Sequence, residues 1–399
     1  MGKKRGWWPA GLLIVLLFAL ESIAVHAFLT ARFPGGNDFY SRWAGARALL
    51  LEGRDPYSLE VTAEIQAVIG IDPAQAGRGG FAYPLYVLFL FWPLVYFPYD
   101  WAQAMWMVTL QWVAVAAMAG LSNLERLRLS SVGLAGLLLA TLFLYPVART
   151  IFLGQFTLHV TLFLVATLLA LRRGRDDWAG IWLAATFIKP QMVAFVAPWL
   201  VLWALGRRRW RLVRGLLIGG GVLSLAALII FPRWPISFLE DVLRYSKVAG
   251  GRNPLVVLMG LVWPGAPVAV RYGLVGLLLL VMFAVWWRDR QGGEGAFIRV
   301  THWVIVISSL VLFQTGTTNQ AMLLIPLFGW LRRALERWRC WQVAIGVGTL
   351  LVALWVLFLS TIQGNWENPM MFLPLPLFNL AMLVGAEGYR WWTVRRSAG

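Results

Sequence analysis

The chain has 399 residues, of which 60% are hydrophobic and 13% are charged, and its mean hydropathy is +0.69. This composition excludes a soluble globular protein, and the repeated apolar runs indicate a polytopic membrane protein. The single cysteine, Cys340, excludes an internal disulfide and a cysteine metal cluster. The formal net charge of +17 comes from basic clusters that interrupt the apolar runs, as cytoplasmic loops do. We therefore expect no nucleic-acid partner.

The basic clusters also predict the topology. The first apolar run, 7–30, has no evident small-residue cleavage site and is predicted to be a retained anchor. The run at 81–98 has no flanking Lys or Arg and is shortened by prolines, so we predict a hairpin or oblique helix in the outer leaflet. Joining the clusters then requires about twelve transmembrane helices with both termini in the cytoplasm. The predicted spans are 7–30, 100–121, 131–148, 155–171, 178–188, 191–205, 215–231, 268–287, 297–314, 320–331, 341–361 and 369–387.

The predicted fold is an all-α polytopic bundle that forms a single integral membrane domain over residues 1–399. Two long external loops interrupt it, at 31–99 and at 232–267. The first of these loops is expected to carry amphipathic helices.

The first external loop contains the main catalytic candidate. Asn37 and Asp38 precede a stripe of apolar residues that runs from Phe39 to Leu50, which predicts an amphipathic helix on the outer membrane surface. One interpretation is that Asp38 or Asn37 is the N-cap of this helix. The other is that a carboxylate at the water–lipid boundary acts as general base on a hydroxyl nucleophile.

A lysine within an apolar stretch is the second candidate. Basic clusters lie on both sides of 178–205, so this segment is predicted to enter the membrane and return as two short helices that meet near Lys189. A cation inside the membrane is a functional hypothesis by default, and Lys189, followed by Pro190, could hold a lipid phosphate. The alternative is a short helix end whose lysine reaches the outer interface.

Further polar residues gather at predicted outer boundaries. Arg149, Gln155 and His159 lie in the segment 148–159, and Gln155 and His159 are one helical turn apart. His159 is either a packed histidine or a catalytic acid or base. Glu21, near the middle of the first span, favours a structural polar contact inside the bundle.

The remaining candidates belong to loops and turns, and each has a structural alternative. In the second loop, the basic residues Arg244, Lys247 and Arg252 could face phosphates or be solvated. In the polar turn at 314–320, Asn319 and Gln320 could bind sugar hydroxyls or satisfy helix ends. The outer aromatic residues Tyr40 and Tyr83 could stack on sugars or anchor the interface.

Four blocks, in order, resemble glycosyltransferase family 87. They are "NDFYSRWAGARALLLEGRDPYS", "FAYPLYVLFLFWPL", "LGQFTLHVTLFLVATLLALRRGR" and "WAGIWLAATFIKPQ". The family includes polyprenyl-phosphate-mannose-dependent mannosyltransferases of bacterial envelopes, which have the GT-C fold. The resemblance implies a catalytic module over 1–215, variable helices over 216–399, and Asp38 as catalytic base. Its Gly-Gln block matches Gly154 and Gln155, and its Lys-Pro block matches Lys189 and Pro190.

The chain departs from this family in one place. Members often carry Trp and His in the turn where this chain reads "TGTTNQAMLLIP", so Asn319, Gln320 or His159 would have to serve instead. The resemblance implies transfer of a mannose-like hexose from a polyprenyl-phosphate donor to a lipid or glycan acceptor. The outer loops lack a DxD-like acid pair and a Gly-rich phosphate loop, which favours a lipid-phosphate donor over a metal-chelated nucleotide sugar. We expect neither a metal nor another cofactor.

We place the predicted active site on the extracytoplasmic side of the plasma membrane, among membrane lipids. Lys189, Arg149 and Arg252 are the predicted phosphate ligands, and Asn37, Tyr40, Tyr83, Gln155, His159, Asn319 and Gln320 the predicted substrate contacts. A transporter or flippase of a lipid-linked sugar and an inactive sugar-binding relative remain as alternatives.

Overall fold

The computed structural model describes residues 8–33, 35–71, 79–248, 254–312, 316–362 and 367–397. Within these ranges the regular structure is helical, and no strand occurs. The α-helices are α1 Trp8–Val25, α2 Asn37–Glu52, α3 Leu59–Ile69, α4 Tyr99–Leu124, α5 Ser131–Phe143, α6 Tyr145–Leu153, α7 Thr157–Arg172, α8 Asp176–Ala185, α9 Val196–Gly206, α10 Trp210–Ile230, α11 Trp234–Val248, α12 Pro254–Val262, α13 Val268–Asp289, α14 Glu294–Val311, α15 Leu324–Arg337, α16 Cys340–Thr361 and α17 Pro374–Ser397.

Short helical turns join several of these helices. A π-helical turn, His26–Thr30, extends α1, and the other short turns are 3₁₀-helices. The 3₁₀-helices are Leu85–Leu90, Trp92–Tyr96, Thr186–Ile188, Pro190–Val193, Thr317–Leu323 and Pro369–Phe372. The apolar run 81–98 is therefore two 3₁₀-helices and not a continuous α-helix.

The protein is a polytopic, all-α membrane protein. In the described part of the chain, seven helices are long and apolar enough to cross a membrane, or eight if α5 and α6, bent by 58° to each other, form one span. The apolar helices α7 and α9 are shorter and stand where spans were predicted at 155–171 and 191–205. The count of about twelve spans stays a prediction. The seven candidate spans are Pro9–Thr30, Tyr99–Leu124, Trp210–Ile230, Val268–Asp289, Glu294–Val311, Cys340–Thr361 and Pro369–Arg390.

The chain divides into two compact units that are interleaved in sequence. The first unit comprises Met1–Val113, Ile151–Gln155 and Ala226–Ala249. The second comprises Ala114–Thr150, Phe156–Leu225 and Gly250–Gly399. The predicted division at residue 215 stays a prediction.

In the first unit, the predicted apolar stripe of α2 is present, but it packs against protein. Phe39 has no exposed surface, and its ring stacks on Trp106 of α4 with 5.1 Å between centroids. The Phe91 ring meets it edge-on at 5.6 Å. The Trp43 indole N–H donates to the Leu94 carbonyl oxygen at 3.0 Å. The expectation that this face lies on the membrane surface is therefore corrected, because α4 and the 81–98 segment cover it.

A glycine allows the segment after α6 to approach α2. Gly154 has φ +73°, and a Cβ at this position would overlap the Cβ of Phe39. Its carbonyl oxygen accepts a hydrogen bond from the Trp106 indole N–H at 2.9 Å. The Gly-Gln pair thus places Gln155 beside the buried start of α2.

In the second unit, the helical hairpin of α7 and α8 leads to the predicted break. The 3₁₀-helices on either side of Lys189 replace a continuous helix, and Lys189 itself has φ −138° and ψ 74°. Proline after Lys189 explains the break, because the residue before a proline avoids the α region. The two predicted short helices therefore meet at Lys189 in the structure.

Helix α8 also approaches α10 at backbone distance. A Cβ on Gly180 would overlap the Leu212 carbonyl oxygen, and one on Gly215 would overlap the Asp177 carbonyl oxygen. Small residues allow such close helix contacts in membranes, where packing replaces the hydrophobic effect as the driving force. Arg211 and Arg214 of α10 bind the Asp177 carboxylate at 2.7 Å at the same end of the contact.

We expect Gly215→Ala to destabilise the folded protein by about 1–3 kcal/mol, because the added methyl forces α8 and α10 apart. Gly220→Ala on the same helix is the control, since no heavy atom lies within 4 Å of its Cβ position. The measurement is the temperature at which monodisperse protein is lost in detergent, followed by size-exclusion chromatography. Equal transition temperatures for the two variants would contradict this packing.

We expect Gly154→Ala to cost more stability than Gly53→Ala in the same assay. Both glycines have positive φ, so both substitutions carry a left-handed backbone cost of about 1–2 kcal/mol. Only Gly154 adds a clash with Phe39, whereas the Cβ position of Gly53 is open. If the two variants lose the same stability, the close approach of Gly154 to α2 is wrong.

Candidate active site

Asp38 lies in the first turn of α2, where the helix dipole favours a negative charge. The N-cap position is Gly36, which makes no side-chain cap, so Asp38 is not the N-cap. The Tyr99 hydroxyl donates to the carbonyl oxygens of Gly35 and Gly36 at 2.7 and 2.9 Å and so holds the chain that enters the helix. The Asp38 side chain is 36% exposed. Within the described part of the chain, its carboxylate accepts no hydrogen bond.

Arg42 is the charged neighbour of Asp38, one helical turn further along α2. Its guanidinium lies 4.0 Å from the Asp38 carboxylate and donates to the Asp38 carbonyl oxygen at 2.8 Å. It also lies over the Tyr83 ring, 4.5 Å from the centroid. The Tyr83 hydroxyl donates to Gln155 Oε1 at 2.7 Å. The first unit thus brings Asp38, Tyr83 and Gln155 together through Arg42.

The buried Tyr83 has its ring covered by Arg42, and Tyr40 is half-buried with its ring edge-on to Tyr99 at 4.8 Å. Both aromatic residues therefore have protein neighbours. Their role in substrate binding stays a prediction.

Helix α11, in the first part of the second predicted external loop, belongs to the first unit. Arg244 donates to the Tyr57 carbonyl oxygen at 2.6 Å and pairs with Asp241 at 3.3 Å. Burial raises the pKa of the Asp241 carboxyl, against the opposing effects of Arg244, the Ala82 N–H and Arg42. Arg244 therefore contacts the first external loop. The sequence predicts only a phosphate contact or a solvated side chain for this arginine.

The second unit holds the other group of predicted residues, around Lys189. Lys189 is 4% exposed, and its ammonium donates to the Thr157 hydroxyl at 3.2 Å. That hydroxyl lies 3.4 Å from Asn319 Oδ1. Lys189, Thr157 and Asn319 therefore form one polar cluster within apolar surroundings.

His159 and Gln320 are both buried in the second unit. The His159 ring lies 6.2 Å from the rings of Phe156 and Phe163. Gln320 donates through its side-chain amide to the Phe372 carbonyl oxygen at 2.9 Å. These contacts suit the structural interpretation of each residue, and their predicted substrate roles are not tested by them.

Arg149 faces a carboxylate. Its guanidinium lies 3.6 Å from Glu367, which also accepts hydrogen bonds from the Tyr145 hydroxyl at 2.7 Å and the Thr317 hydroxyl at 2.6 Å. The Glu367 side chain is 10% exposed. The charge of Arg149 is thus balanced within the second unit, and its role as a phosphate ligand stays a prediction.

Several predicted residues cannot be placed. Arg252 and residues 314–315 lie outside the described residues. Asn37 and Lys247 lie in helices, but their side chains are outside the description. In the part of the chain that is described, no group of three or more His, Cys, Asp and Glu residues is placed to hold a metal ion.

Sequence reasoning missed Arg42, Thr157, Asp241 and Glu367. The i,i+4 spacing from Asp38 could have revealed Arg42. Thr157 faces Lys189 from 32 residues away, and Tyr145 meets Glu367 from 222 residues away, so no local pattern points to either contact.

The comparison with protein families identifies the chain. The model of glycosyltransferase family 87 matches residues 81–315, more than half of the chain. The match includes Tyr83, Gln155 and Lys189, whereas Asp38 precedes it. No curated protein and no solved structure matches the chain. The match covers the last three of the four sequence blocks but not the first, at residues 37–58. Since the family model matches more than half of the chain, the chain belongs to glycosyltransferase family 87.

Proposed function

We propose that this glycosyltransferase moves a mannose-like hexose from a polyprenyl-phosphate donor to a hydroxyl of a lipid or glycan acceptor, on the extracytoplasmic side and with inversion. Asp38 is the proposed general base. The observation that carries this proposal is a partly exposed carboxylate, on the first turn of a buried helix, that accepts no hydrogen bond from the described residues.

The surroundings of Asp38 suit a general base. The neighbouring Phe39 has no exposed surface and fixes the start of α2. Arg42 places positive charge 4.0 Å from the carboxylate but donates to the backbone carbonyl, so it leaves the carboxylate oxygens open. A base needs an accessible oxygen within hydrogen-bond reach of the proton it removes.

The proposed step balances in charge and atoms. Asp38 takes the proton of the acceptor hydroxyl while that oxygen forms a bond to the anomeric carbon. The bond from the anomeric carbon to the phosphate oxygen breaks on the opposite face, which inverts this centre. The donor phosphate changes from a monoanion to a dianion, and fixed positive charge stabilises it. No second carboxylic acid is needed to protonate this leaving group.

For the second unit, we propose that Lys189 binds an anionic group of the donor. A lysine ammonium that is 4% exposed costs free energy in an apolar environment. Binding to a phosphate would offset this cost through charge-assisted hydrogen bonds. Thr157 holds the ammonium in place at the break between the two 3₁₀-helices.

The transporter alternative receives no specific support. Glu21, the acid in the first span, accepts a hydrogen bond from the Trp112 indole N–H at 2.8 Å, as expected of a structural polar contact. A path for a sugar would instead need polar groups that face one another along several spans.

We expect Asp38→Asn to lower hexose transfer by about 10²–10⁴-fold, because the amide cannot accept the hydroxyl proton. Transfer is measured in proteoliposomes with radiolabelled polyprenyl-phosphate mannose, then glucose and arabinose donors, and donor binding is measured separately. Glu60→Gln is the matched control, since Glu60 is an exposed acid of the same loop. Full activity of Asp38→Asn would remove Asp38 as the base, and donor transport without transfer by the wild type would favour the alternative.

We expect Lys189→Gln to weaken donor binding by about 10–100-fold, the equivalent of one lost charged hydrogen bond. The effect should appear in equilibrium binding of polyprenyl phosphate as well as in the KM for the donor. Arg173→Gln, an exposed basic residue in the same unit, should leave both values unchanged. Unchanged binding in Lys189→Gln would assign this lysine a structural role only.

A further inference from the structure

Asp241 of α11 is a completely buried carboxylate that no predicted role uses. Its Oδ2 accepts the backbone N–H of Ala82 at 3.1 Å, and its Oδ1 lies 3.3 Å from the Arg244 guanidinium. A buried carboxylate is costly unless it is paired and hydrogen-bonded. The hydrogen bond from Ala82 and the contact with Arg244 are the contacts that offset this cost.

Ala82 needs such a partner, because its backbone is unusual. Its φ is +49°, in the left-handed region that residues with a Cβ rarely adopt. A strained turn of this kind persists only when the surroundings fix it. The Asp241 carboxylate accepts a hydrogen bond from the Ala82 N–H, and the Tyr57 hydroxyl donates one to the Tyr83 carbonyl oxygen at 2.7 Å. Both hydrogen bonds hold the backbone of this turn.

The turn at Ala82 determines where the Tyr83 side chain points. Tyr83 reaches Gln155 with its hydroxyl and presents its ring to the Arg42 guanidinium. Arg42 in turn donates to the carbonyl oxygen of Asp38. A continuous series of contacts therefore runs from Asp241 to the first turn of α2.

We propose that Asp241 is a positioning residue for the transfer reaction, which sets the Ala82 turn and, through Tyr83 and Arg42, the placement of Asp38. This inference rests on the proposed role of Asp38 as base. Asp241 touches neither substrate nor reacting atoms and acts only through these residues.

A simpler role for Asp241 would be to attach α11 to the first loop. The same helix makes another such contact, from the Ser237 hydroxyl to the Asp55 carboxylate at 2.8 Å. This second contact does not involve Ala82. Ser237→Ala therefore removes attachment without removing the support of the turn, which makes it the matched control for Asp241→Ala.

The first experiment compares kcat and donor KM for these two variants. We expect Asp241→Ala to lower kcat by about tenfold or more with little change in KM, because misplacement of a catalytic group affects the chemical step. Ser237→Ala should change neither value. Equal losses in the two variants would overturn the proposal in favour of simple attachment.

A rescue variant tests the backbone part of the argument. Glycine adopts positive φ without a Cβ penalty, so Ala82→Gly lowers the dependence of the turn on the carboxylate. We expect the double variant Asp241→Ala/Ala82→Gly to recover most of the kcat lost in Asp241→Ala. A double variant no better than Asp241→Ala would contradict the link through Ala82. If Asp241→Ala does not fold, Asp241→Leu replaces it in the same comparison, because leucine is of similar size and cannot accept the Ala82 N–H.

A second readout does not depend on catalysis. In a Cys340→Ser background, Asp38→Cys gives one thiol whose maleimide labelling rate reports the placement of position 38. Adding Asp241→Ala should change this labelling rate at least about twofold, whereas adding Ser237→Ala should not. Hydrogen exchange at the Ala82 amide should likewise change with Asp241→Ala and stay the same with Ser237→Ala. Unchanged labelling with Asp241→Ala overturns the positioning role. Absence of transfer by the wild type would instead overturn the proposed function, while labelling still decides the role of Asp241.

Discussion

The burial of Phe39 is the contact on which the arrangement around Asp38 depends. Its ring lies between Phe91 and Trp106 with no surface exposed, and the backbone of Gly154 closes against its Cβ. Asp38 precedes Phe39 directly, so its backbone cannot move without disturbing this packing. The packing of Phe39 thus fixes the backbone from which the partly exposed Asp38 side chain extends, as its proposed role as base requires.

The need to satisfy polar groups in apolar surroundings explains much of the second unit. Asp289 is buried near the end of α13, and the guanidinium of Arg299 binds it at 2.7 Å. Arg209, directly before α10, binds Asp176 at the start of α8. Lys189 follows the same principle with a hydroxyl, from Thr157. Each ion pair constrains the sequence at two positions, since loss of either partner leaves a buried charge uncompensated. The Thr157 hydroxyl gives Lys189 a hydrogen bond but no opposite charge.

The sequence predicts those features whose cause is local. The long apolar runs predict the candidate spans, and the Lys-Pro pair predicts the helix break at Lys189. The stripe on α2 predicts a buried face but not what covers it, because lipid and protein are equally apolar partners. The contact between Asp241 and Ala82 joins residues 159 positions apart, and nothing near either residue indicates it. The sequence also predicts the apolar character of α7 and α9, but both helices are shorter than the candidate spans.

The contacts of Glu367 join residues that are synthesised at very different times. Tyr145 and Arg149 both face this carboxylate, and Tyr145 precedes it by 222 residues. At a translation rate of about 5–20 residues per second, Tyr145 leaves the ribosome roughly 10–45 s before its partner does. During that interval Arg149 and Tyr145 lack the carboxylate that both face in the complete protein. The residue that completes this group of contacts thus lies close before the last helix, and the first two members, in α6, are made much earlier.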